Sequence, residues 1–116
     1  MEQSEHDKRI DYIEIASADI PSAKKFYSAV FGWNFVDYGP GYASFNDGRL
    51  SGGFGNEAHE EGRSVLIVLY ATDLDLVKKQ VVEEGGTITR ETFSFPGGRR
   101  FHFTDPGGLE LAVWSE

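Results

Sequence analysis

Three side chains that could take part in chemistry lie in strand-like segments of this sequence. Glu14 alternates with apolar residues in IDYIEIA, and His102 and Glu110 belong to two later strand-like runs. A partly buried carboxylate tends to have a raised pKa, so Glu14 is a candidate general base or an anchor for a ligand's donor groups. His102 and Glu110 are candidates for polar contacts with a ligand. For all three, the alternative is an ordinary strand position that reaches solvent or pairs with a neighbour.

Two adjacent arginines follow a Gly-Gly turn just before His102. Arg99 or Arg100 could clamp an anionic ligand, because a guanidinium forms paired hydrogen bonds with a carboxylate. An arginine beside such a turn is more commonly just solvated. Both interpretations stay open from the sequence.

The composition excludes several other functions. There is no cysteine among the 116 residues, which excludes disulfides, thiolate catalysis and cysteine zinc sites. The formal net charge of −8 argues against nucleic acid, since phosphate binding needs a basic surface. No apolar run approaches the roughly 20 residues that span a bilayer, and the polar N-terminus lacks the apolar stretch of a signal peptide. We therefore expect a cytoplasmic domain with no nucleic-acid or membrane partner.

The elements that must position these side chains alternate between strand and helix patterns. Asp19 with Pro21 is typical of a helix start, and Gly32 of a helix end. Asp73 begins a second helix that ends at Gly85. The remaining apolar runs are predicted as strands at 10–16, 34–38, 42–46, 49–54, 64–71, 87–92, 99–104 and 109–114.

The two halves of the chain repeat this order. Asp19-Ile20 matches Asp73-Leu74, and Lys24-Lys25 matches Lys78-Lys79 without a gap. Each half reads strand, helix, strand, strand, strand. A unit of about 50 residues buries its apolar helix face poorly alone, so two units must pack together. We expect a flexible tail at 1–9 and one domain at 10–116, with module one at about 10–55, a linker at 56–63 and module two at about 64–116.

The segments IDYIEIASADIPSAKKFYSAVFGWNF, YATDLD, GGTI and FTDPGGLELAVW are similar to those of the vicinal oxygen chelate superfamily. That superfamily includes glyoxalase I, bleomycin-resistance proteins and extradiol dioxygenases. The resemblance implies an α+β fold in which two tandem βαβββ modules form a curved mixed sheet. It also implies a cupped ligand face and, in the enzymes, a divalent metal held by His and Glu residues.

The resemblance carries the four metal-ligand positions onto Tyr12, Phe54, Leu66 and Ala112. None of these is a His or a carboxylate, so no metal site and no cofactor are predicted. A register slip of two residues would bring Glu14 and Glu110 inward instead. A divalent metal is therefore expected only if the register differs.

An inner face lined by aromatic and apolar side chains suits a flat aromatic or apolar small molecule. The candidate ligand-binding residues are Tyr12, Glu14, Phe54, Leu66, Tyr70, His102, Glu110, Ala112 and Trp114. The competing interpretation is that these side chains fill the cup or that a second subunit covers it.

Three functions remain open. The first is a metal-independent small-molecule-binding protein comparable to the bleomycin-resistance branch, which also implies a homodimer. The second is a lyase or isomerase related to lactoylglutathione lyase, with a displaced metal site or with metal-free acid–base catalysis by Glu14. The third is a protein-interaction domain.

Overall fold

The computed structural model describes residues 3–56 and 64–116. In these residues it contains eight β-strands, two α-helices and a short 3-10 helix at Gln3–His6. The first half comprises β1 (Ile10–Ala16), α1 (Ile20–Phe31), β2 (Asn34–Asp37), β3 (Tyr42–Asn46) and β4 (Ser51–Gly55). The second comprises β5 (Val65–Tyr70), α2 (Leu74–Glu83), β6 (Thr87–Phe95), β7 (Gly98–Thr104) and β8 (Glu110–Ser115). Except for Asn56, the predicted linker lies outside the described residues.

The strand pairing repeats along with the order of the elements. Hydrogen bonds join the strands of the first half in the order β1-β4-β3-β2 and those of the second in the order β5-β8-β7-β6. In each half the first and last strands are parallel, and the other pairs are antiparallel. The predicted α+β fold of two βαβββ modules with mixed strand pairing is therefore confirmed.

Both helices begin where the sequence predicts. The Asp19 carboxylate accepts a hydrogen bond from the Ser22 backbone N–H at 3.1 Å, and the Asp73 carboxylate accepts one from Leu76 at the same distance. These bonds satisfy backbone donors that a helix start leaves unpaired. Gly32 ends α1 with a φ of 73°, a left-handed conformation that costs glycine little. None of the helices in the described ranges is long and apolar enough to cross a bilayer.

The chain divides into two units, which have separate hydrophobic cores. The first unit is residues 12–66, and the second is residues 67–116 with the N-terminal segment before residue 12. In the first unit, Ile20 of α1 is buried together with the strand residues Ala43, Phe45 and Phe54. In the second, Leu74 of α2 is buried together with Ala71, Phe101 and Val113. Each helix therefore covers one side of its own strands.

The N-terminal segment differs from the predicted flexible tail. Its backbone pairs with β5, since the Lys8 N–H donates to the Tyr70 carbonyl at 2.7 Å and the Tyr70 N–H donates to the Arg9 carbonyl at 3.0 Å. The Asp7 carboxylate accepts the backbone N–H of Thr72 at 2.7 Å. A polar segment that forms long-range backbone bonds shows no hydrophobic periodicity, so the pattern alone did not predict it.

Candidate functional site

The second unit presents two rows of side chains on the side of its sheet opposite α2. Strand pairing aligns the first row across β6, β7, β8 and β5 as Arg90, His102, Ala112 and Val68. It aligns the second row as Phe93, Arg100, Trp114 and Tyr70. Directly paired residues point to the same side of a sheet. We call this surface the second-unit face; it contains four of the predicted site residues.

A fifth predicted residue, the buried Glu110, lies beside His102 and Thr89 on this face. The Thr89 hydroxyl donates a hydrogen bond to Glu110 Oε2 at 2.9 Å. His102 Nδ1 lies 3.7 Å from the same oxygen, an ion-pair distance when the imidazole is protonated. Only 7% of the His102 side chain and 3% of the Glu110 side chain are exposed. The sequence predicted each of these residues separately as a polar contact for a ligand; the structure places the two side chains next to each other.

Arginine and aromatic side chains alternate along the β6–β7 end of the face. The Arg90 guanidinium carbon lies 3.8 Å from the centre of the Phe93 ring. The Arg100 guanidinium carbon lies 5.4 Å from the Phe93 ring and 5.9 Å from the Phe95 ring. At these distances the negative face of a phenyl ring attracts the cation. The arrangement holds two positive charges against an aromatic surface.

Trp114 and Tyr70 form the other end of the second row, and both are anchored by acidic side chains. Their rings meet edge to face with centres 5.1 Å apart. The Trp114 indole N–H donates to Asp11 Oδ2 at 2.9 Å, and the Tyr70 hydroxyl donates to Glu116 Oε1 at 2.6 Å. The hydrogen bond to Glu116, together with burial, raises the pKa of Tyr70 to about 12. These bonds hold both rings in defined orientations.

The first unit contributes a different arrangement, built on the glycines of β4. The hydroxyls of Tyr12 and Tyr42 are 2.6 Å apart and share a hydrogen bond. A Cβ atom at Gly53 would lie 1.9 Å from the Tyr42 hydroxyl, so the two tyrosines fit closely over this glycine. Glu14 is half-buried and pairs directly with Gly53. Tyr12 and Glu14 therefore share the side of β1 on which the tyrosine hydroxyls lie.

The structure corrects the predicted position of Phe54. Its ring packs against Tyr27 of α1, with centres 5.4 Å apart, and it is 3% exposed. It therefore belongs to the core under the helix and not to the side of Tyr12 and Glu14. The register of the repeat explains the error: β4 starts at Ser51, four residues after Asp47, whereas β8 starts at Glu110, five after Asp105. Gly53 is thus the counterpart of Ala112.

Leu66 and Ala112 are both buried, with exposed fractions of 3% and 0%. Ala112 lies on the second-unit face between His102 and Val68. Leu66 lies in β5 at the end of the first unit. Neither side chain offers a polar atom, so both provide only apolar surface.

The sequence analysis missed Thr89, Arg90 and Phe93. β6 shifts register between Ile88 and Arg90 and again between Arg90 and Phe93. Such irregularities interrupt the alternation of inward and outward side chains, which is the pattern that identifies a strand face. The long run of β-forming residues in TITRETFSF indicates the strand itself, but not which residues face the site.

The family model for the glyoxalase/bleomycin resistance protein/dioxygenase superfamily matches residues 9–113. The chain belongs to this superfamily. The resemblance noted in the sequence is thereby confirmed. The assignment covers both modules, in agreement with the repeated βαβββ order.

Among curated superfamily relatives, the chain is 30% identical to the anthracycline biosynthesis protein DnrV of Streptomyces peucetius. It is 28% identical to the anthracycline biosynthesis protein DauV of Streptomyces sp. strain C5. Each match covers 89% of this chain and 45% of the relative. The chain therefore spans less than half the length of these relatives.

A Mn(II)-bound glyoxalase from Novosphingobium aromaticivorans resembles the chain in structure, with a TM-score of 0.69 and 25% identity. The match covers 95% of this chain and 39% of the glyoxalase.

The positions that bind metal in superfamily enzymes do not fit a metal here. With the corrected register, the resemblance carries those positions onto Tyr12, Gly53, Leu66 and Ala112, which offer one phenol hydroxyl and no imidazole or carboxylate. Divalent metal sites in this chemistry need several nitrogen or carboxylate donors. Among residues 3–56 and 64–116, no group of three or more His, Cys, Asp or Glu side chains is placed to hold an ion.

Proposed function

We propose that this chain is a metal-independent small-molecule-binding domain of the superfamily and that its ligand is a flat aromatic compound. The observation that carries the proposal is the second-unit face, where strand pairing brings aromatic rings, two arginines and a buried His–Glu pair to one surface. Aromatic side chains supply large contact areas, and a few fixed polar groups orient the ligand. Phe93 and Trp114 are both half-buried, so part of each ring reaches the surface.

The names of two relatives support an aromatic ligand. DnrV and DauV are described as anthracycline biosynthesis proteins, and anthracyclines contain fused, flat rings. A ring system of that shape would stack on Trp114 or Phe93, with its oxygen atoms near the His102–Glu110 pair. The chain covers 45% of each relative, so what is carried over is the shape of a possible ligand and not the activity of the whole relative.

The two tryptophans provide a direct test. Trp114 lies on the second-unit face, whereas Trp33 stacks on Tyr27 and Phe45 in the core of the first unit. Trp33→Phe leaves Trp114 as the remaining tryptophan, and Trp114→Phe leaves Trp33. Titration with 2-naphthamide and with an anthracycline should quench the fluorescence of Trp33→Phe and leave that of Trp114→Phe nearly unchanged. Quenching of neither variant, with no rise in Tm at saturating probe, would refute the proposal.

The size of the Tm change is set by mass action. A probe present at about 100 times its Kd stabilises the folded state by roughly 2.7 kcal/mol. For a domain of this size that corresponds to a rise in Tm of roughly 10 °C. Thermal unfolding therefore detects binding even where the absorption or emission of the probe overlaps with tryptophan fluorescence.

Metal independence has its own test. Protein reconstituted with nickel, zinc, manganese or ferrous iron and then dialysed should retain almost no metal by elemental analysis. Retention of about one ion per chain would contradict the donor chemistry of Tyr12, Gly53, Leu66 and Ala112. Metal retention would favour an enzymatic function over metal-independent binding.

A lyase or isomerase is the second candidate, favoured by the buried His102–Glu110 pair. A histidine next to a carboxylate can accept a proton from a substrate and return it without a metal. Glu14, on the other unit, remains the weaker candidate for a base. Turnover of a hemithioacetal by metal-free protein, lost in Glu110→Gln or Glu14→Gln, would support this candidate over simple binding.

A homodimer is part of the proposal, by analogy with bleomycin-resistance proteins. Phe26, Val30 and Phe31 of α1 are each more than half exposed, which leaves apolar surface for a partner. Light scattering coupled to size exclusion should give twice the chain mass of 12.9 kDa. A mass of one chain at micromolar concentration would exclude a stable dimer.

A further inference from the structure

We infer that the ligand contains an electron-poor aromatic ring and that Asp11 is the positioning residue that favours it, by holding and polarising the Trp114 indole. The inference rests on the proposed function, because it specifies the class of ring that Trp114 binds. Asp11 lies in β1, and its side chain is half-buried. Its Oδ2 atom accepts the Trp114 indole N–H at 2.9 Å.

The Trp114 indole is held along two of its edges. On the pyrrole edge, its N–H donates to Asp11. On the benzene edge, a Cβ atom at Gly98 would lie 3.2 Å from Cε3 of Trp114, so the ring lies close to the backbone of β7. The Tyr70 and Trp114 rings also meet edge to face, with centres 5.1 Å apart. A ring that is already fixed loses less entropy when a ligand stacks on it.

The N-terminal segment holds Asp11 in turn. Gln3 Nε2 donates a hydrogen bond to Asp11 Oδ1 at 3.0 Å, which leaves Oδ2 directed at the indole. The same segment is fixed to the end of β5, where the Asp7 carboxylate accepts the backbone N–H of Thr72 at 2.7 Å. The orientation of Trp114 therefore depends on a segment that lies outside the rows of the second-unit face.

The negative charge of Asp11 changes the electron density of the indole as well as its orientation. A hydrogen bond to an ionised acceptor is about twice as strong as a neutral one, and it polarises the groups that it joins. The carboxylate draws the N–H proton towards itself and leaves more electron density on the ring. The neighbouring Tyr70 is in the same situation, because its hydroxyl donates to Glu116 Oε1 at 2.6 Å.

An electron-rich ring favours a partner of the opposite kind. The face of an aromatic ring is negative, so two electron-rich faces repel each other when they stack. Substituents such as carbonyl, cyano or nitro groups withdraw electrons and make the face of the ligand less negative. We therefore expect Trp114 to bind rings with such substituents more tightly than rings of the same shape with electron-donating ones.

Three neutral probes of nearly the same shape vary the electron density of the ring. They are 6-cyano-2-naphthamide, 2-naphthamide and 6-methoxy-2-naphthamide, in order of rising electron density. Their Kd values are measured by isothermal titration at pH 7.5 with wild type, Asp11→Asn, Asp11→Ala and, as the matched control, Asp7→Asn. Asp11→Asn keeps an oxygen that can accept the indole N–H but removes the charge. Asp7→Asn removes the same charge from the same segment without touching the indole bond.

Wild type should bind the cyano compound about 5-fold more tightly than the methoxy compound, because stacking depends on the charge distribution of both rings. Asp11→Asn should bind 2-naphthamide within about 3-fold of wild type, which also shows that it folds, but its preference for the cyano compound should fall below about 2-fold. Asp11→Ala should lose the preference and bind all three compounds about 5-fold more weakly, since its indole is no longer held. Asp7→Asn should keep the wild-type preference.

The indole bond also has a spectroscopic signature that needs no ligand. The chain contains two tryptophans, so Trp33→Phe identifies the indole N–H proton signal of Trp114 by NMR. A proton donated to a carboxylate resonates downfield. The Trp114 signal should move upfield in Asp11→Ala and stay in place in Asp7→Asn. An unchanged signal in Asp11→Ala would show that the bond to Asp11 does not form.

The titrations separate failure of the inference from failure of the proposed function. If wild type binds the cyano and methoxy compounds equally, the ligand class is wrong and the proposed function stands. If Asp11→Asn keeps the full preference, the charge of Asp11 does not act on the ring and the inference is wrong. If Asp7→Asn loses the preference as well, the effect is one of net charge and the inference is again wrong. If no compound binds wild type, the ring-binding function fails and the inference fails with it.

Discussion

Alanine substitutions at three glycines of β4 test how this strand is covered on each side. A Cβ atom at Gly52 would lie 2.4 Å from the backbone oxygen of Ile13 and 2.3 Å from Cζ of Phe45. At Gly53 it would lie 1.9 Å from the Tyr42 hydroxyl and 2.7 Å from the Tyr12 hydroxyl. At Gly55 the nearest atom is Cδ2 of Tyr42, at an ordinary contact distance of 3.5 Å. The three substitutions are chemically identical and differ only in these neighbours.

The distances predict three different changes in the free energy of unfolding. Gly55→Ala should be neutral or stabilising by up to about 1 kcal/mol, because alanine reduces the entropy of the unfolded chain. Gly53→Ala should cost about 2–4 kcal/mol, the sum of overpacking and loss of the tyrosine hydroxyl bond. Gly52→Ala should cost more than about 4 kcal/mol, since a backbone oxygen moves only if β1 itself moves.

Urea unfolding followed by tryptophan fluorescence measures these differences. A second substitution identifies the source of the Gly53 effect: in a Tyr42→Leu background, which removes the nearest atoms, Gly53→Ala should cost less than about 1 kcal/mol. If Gly53→Ala is as harmless as Gly55→Ala in the wild-type background, the tyrosine pair does not cover β4. The correction that places Gly53, and not Phe54, beside Glu14 would then be wrong.

Three further substitutions test individual contacts by urea unfolding. Tyr70→Phe should be less stable than wild type below pH 10. The difference in unfolding free energy should vanish as the pH rises through about 12, because the folded state holds the phenol proton of Tyr70 more tightly than the unfolded chain does. A difference that does not change with pH would contradict this. Hydrogen bonds from Ser22 lower the pKa of Asp19 below 3.8, so the advantage of wild type over Asp19→Asn should persist above that value and shrink as the pH falls below it. An advantage that grows on acidification argues against this role for the carboxylate. Thr87 and Thr89 are both exposed positions of β6, but the Thr89 hydroxyl donates to the buried Glu110. Thr89→Val should therefore cost about 1–3 kcal/mol, and Thr87→Val less than about 0.5 kcal/mol. Equal costs would show that the Thr89 bond contributes little.

The helices and the repeat were predictable because their determinants are local. Asp19 and Asp73 accept hydrogen bonds from backbone N–H groups three residues ahead, and Gly32 adopts a conformation that few other residues tolerate. These interactions involve neighbours in sequence, so their residue types identify them. The order of helix and strands along each module followed from the same repeat and from the resemblance to the superfamily.

The candidate site was predicted only where strand alternation is regular. Tyr70, His102, Ala112 and Trp114 lie on one side of the sheet as expected, because β5, β7 and β8 alternate without interruption. Phe54 was misplaced because the turn after Asp105 is one residue longer than the turn after Asp47. A shift of one residue moves a strand side chain to the opposite side.

By itself, the sequence determined the fold class, the two modules and the starts of both helices. These follow from residue type and from spacing along the chain. Only the tertiary structure decided which side chains share a surface: it joined Thr89 and His102 to Glu110, brought the Arg90 and Arg100 guanidinium groups near the Phe93 ring, and turned Phe54 into the core. The reason is that such contacts depend on the register between strands distant in sequence, and a single bulge or an extra turn residue is enough to change that register.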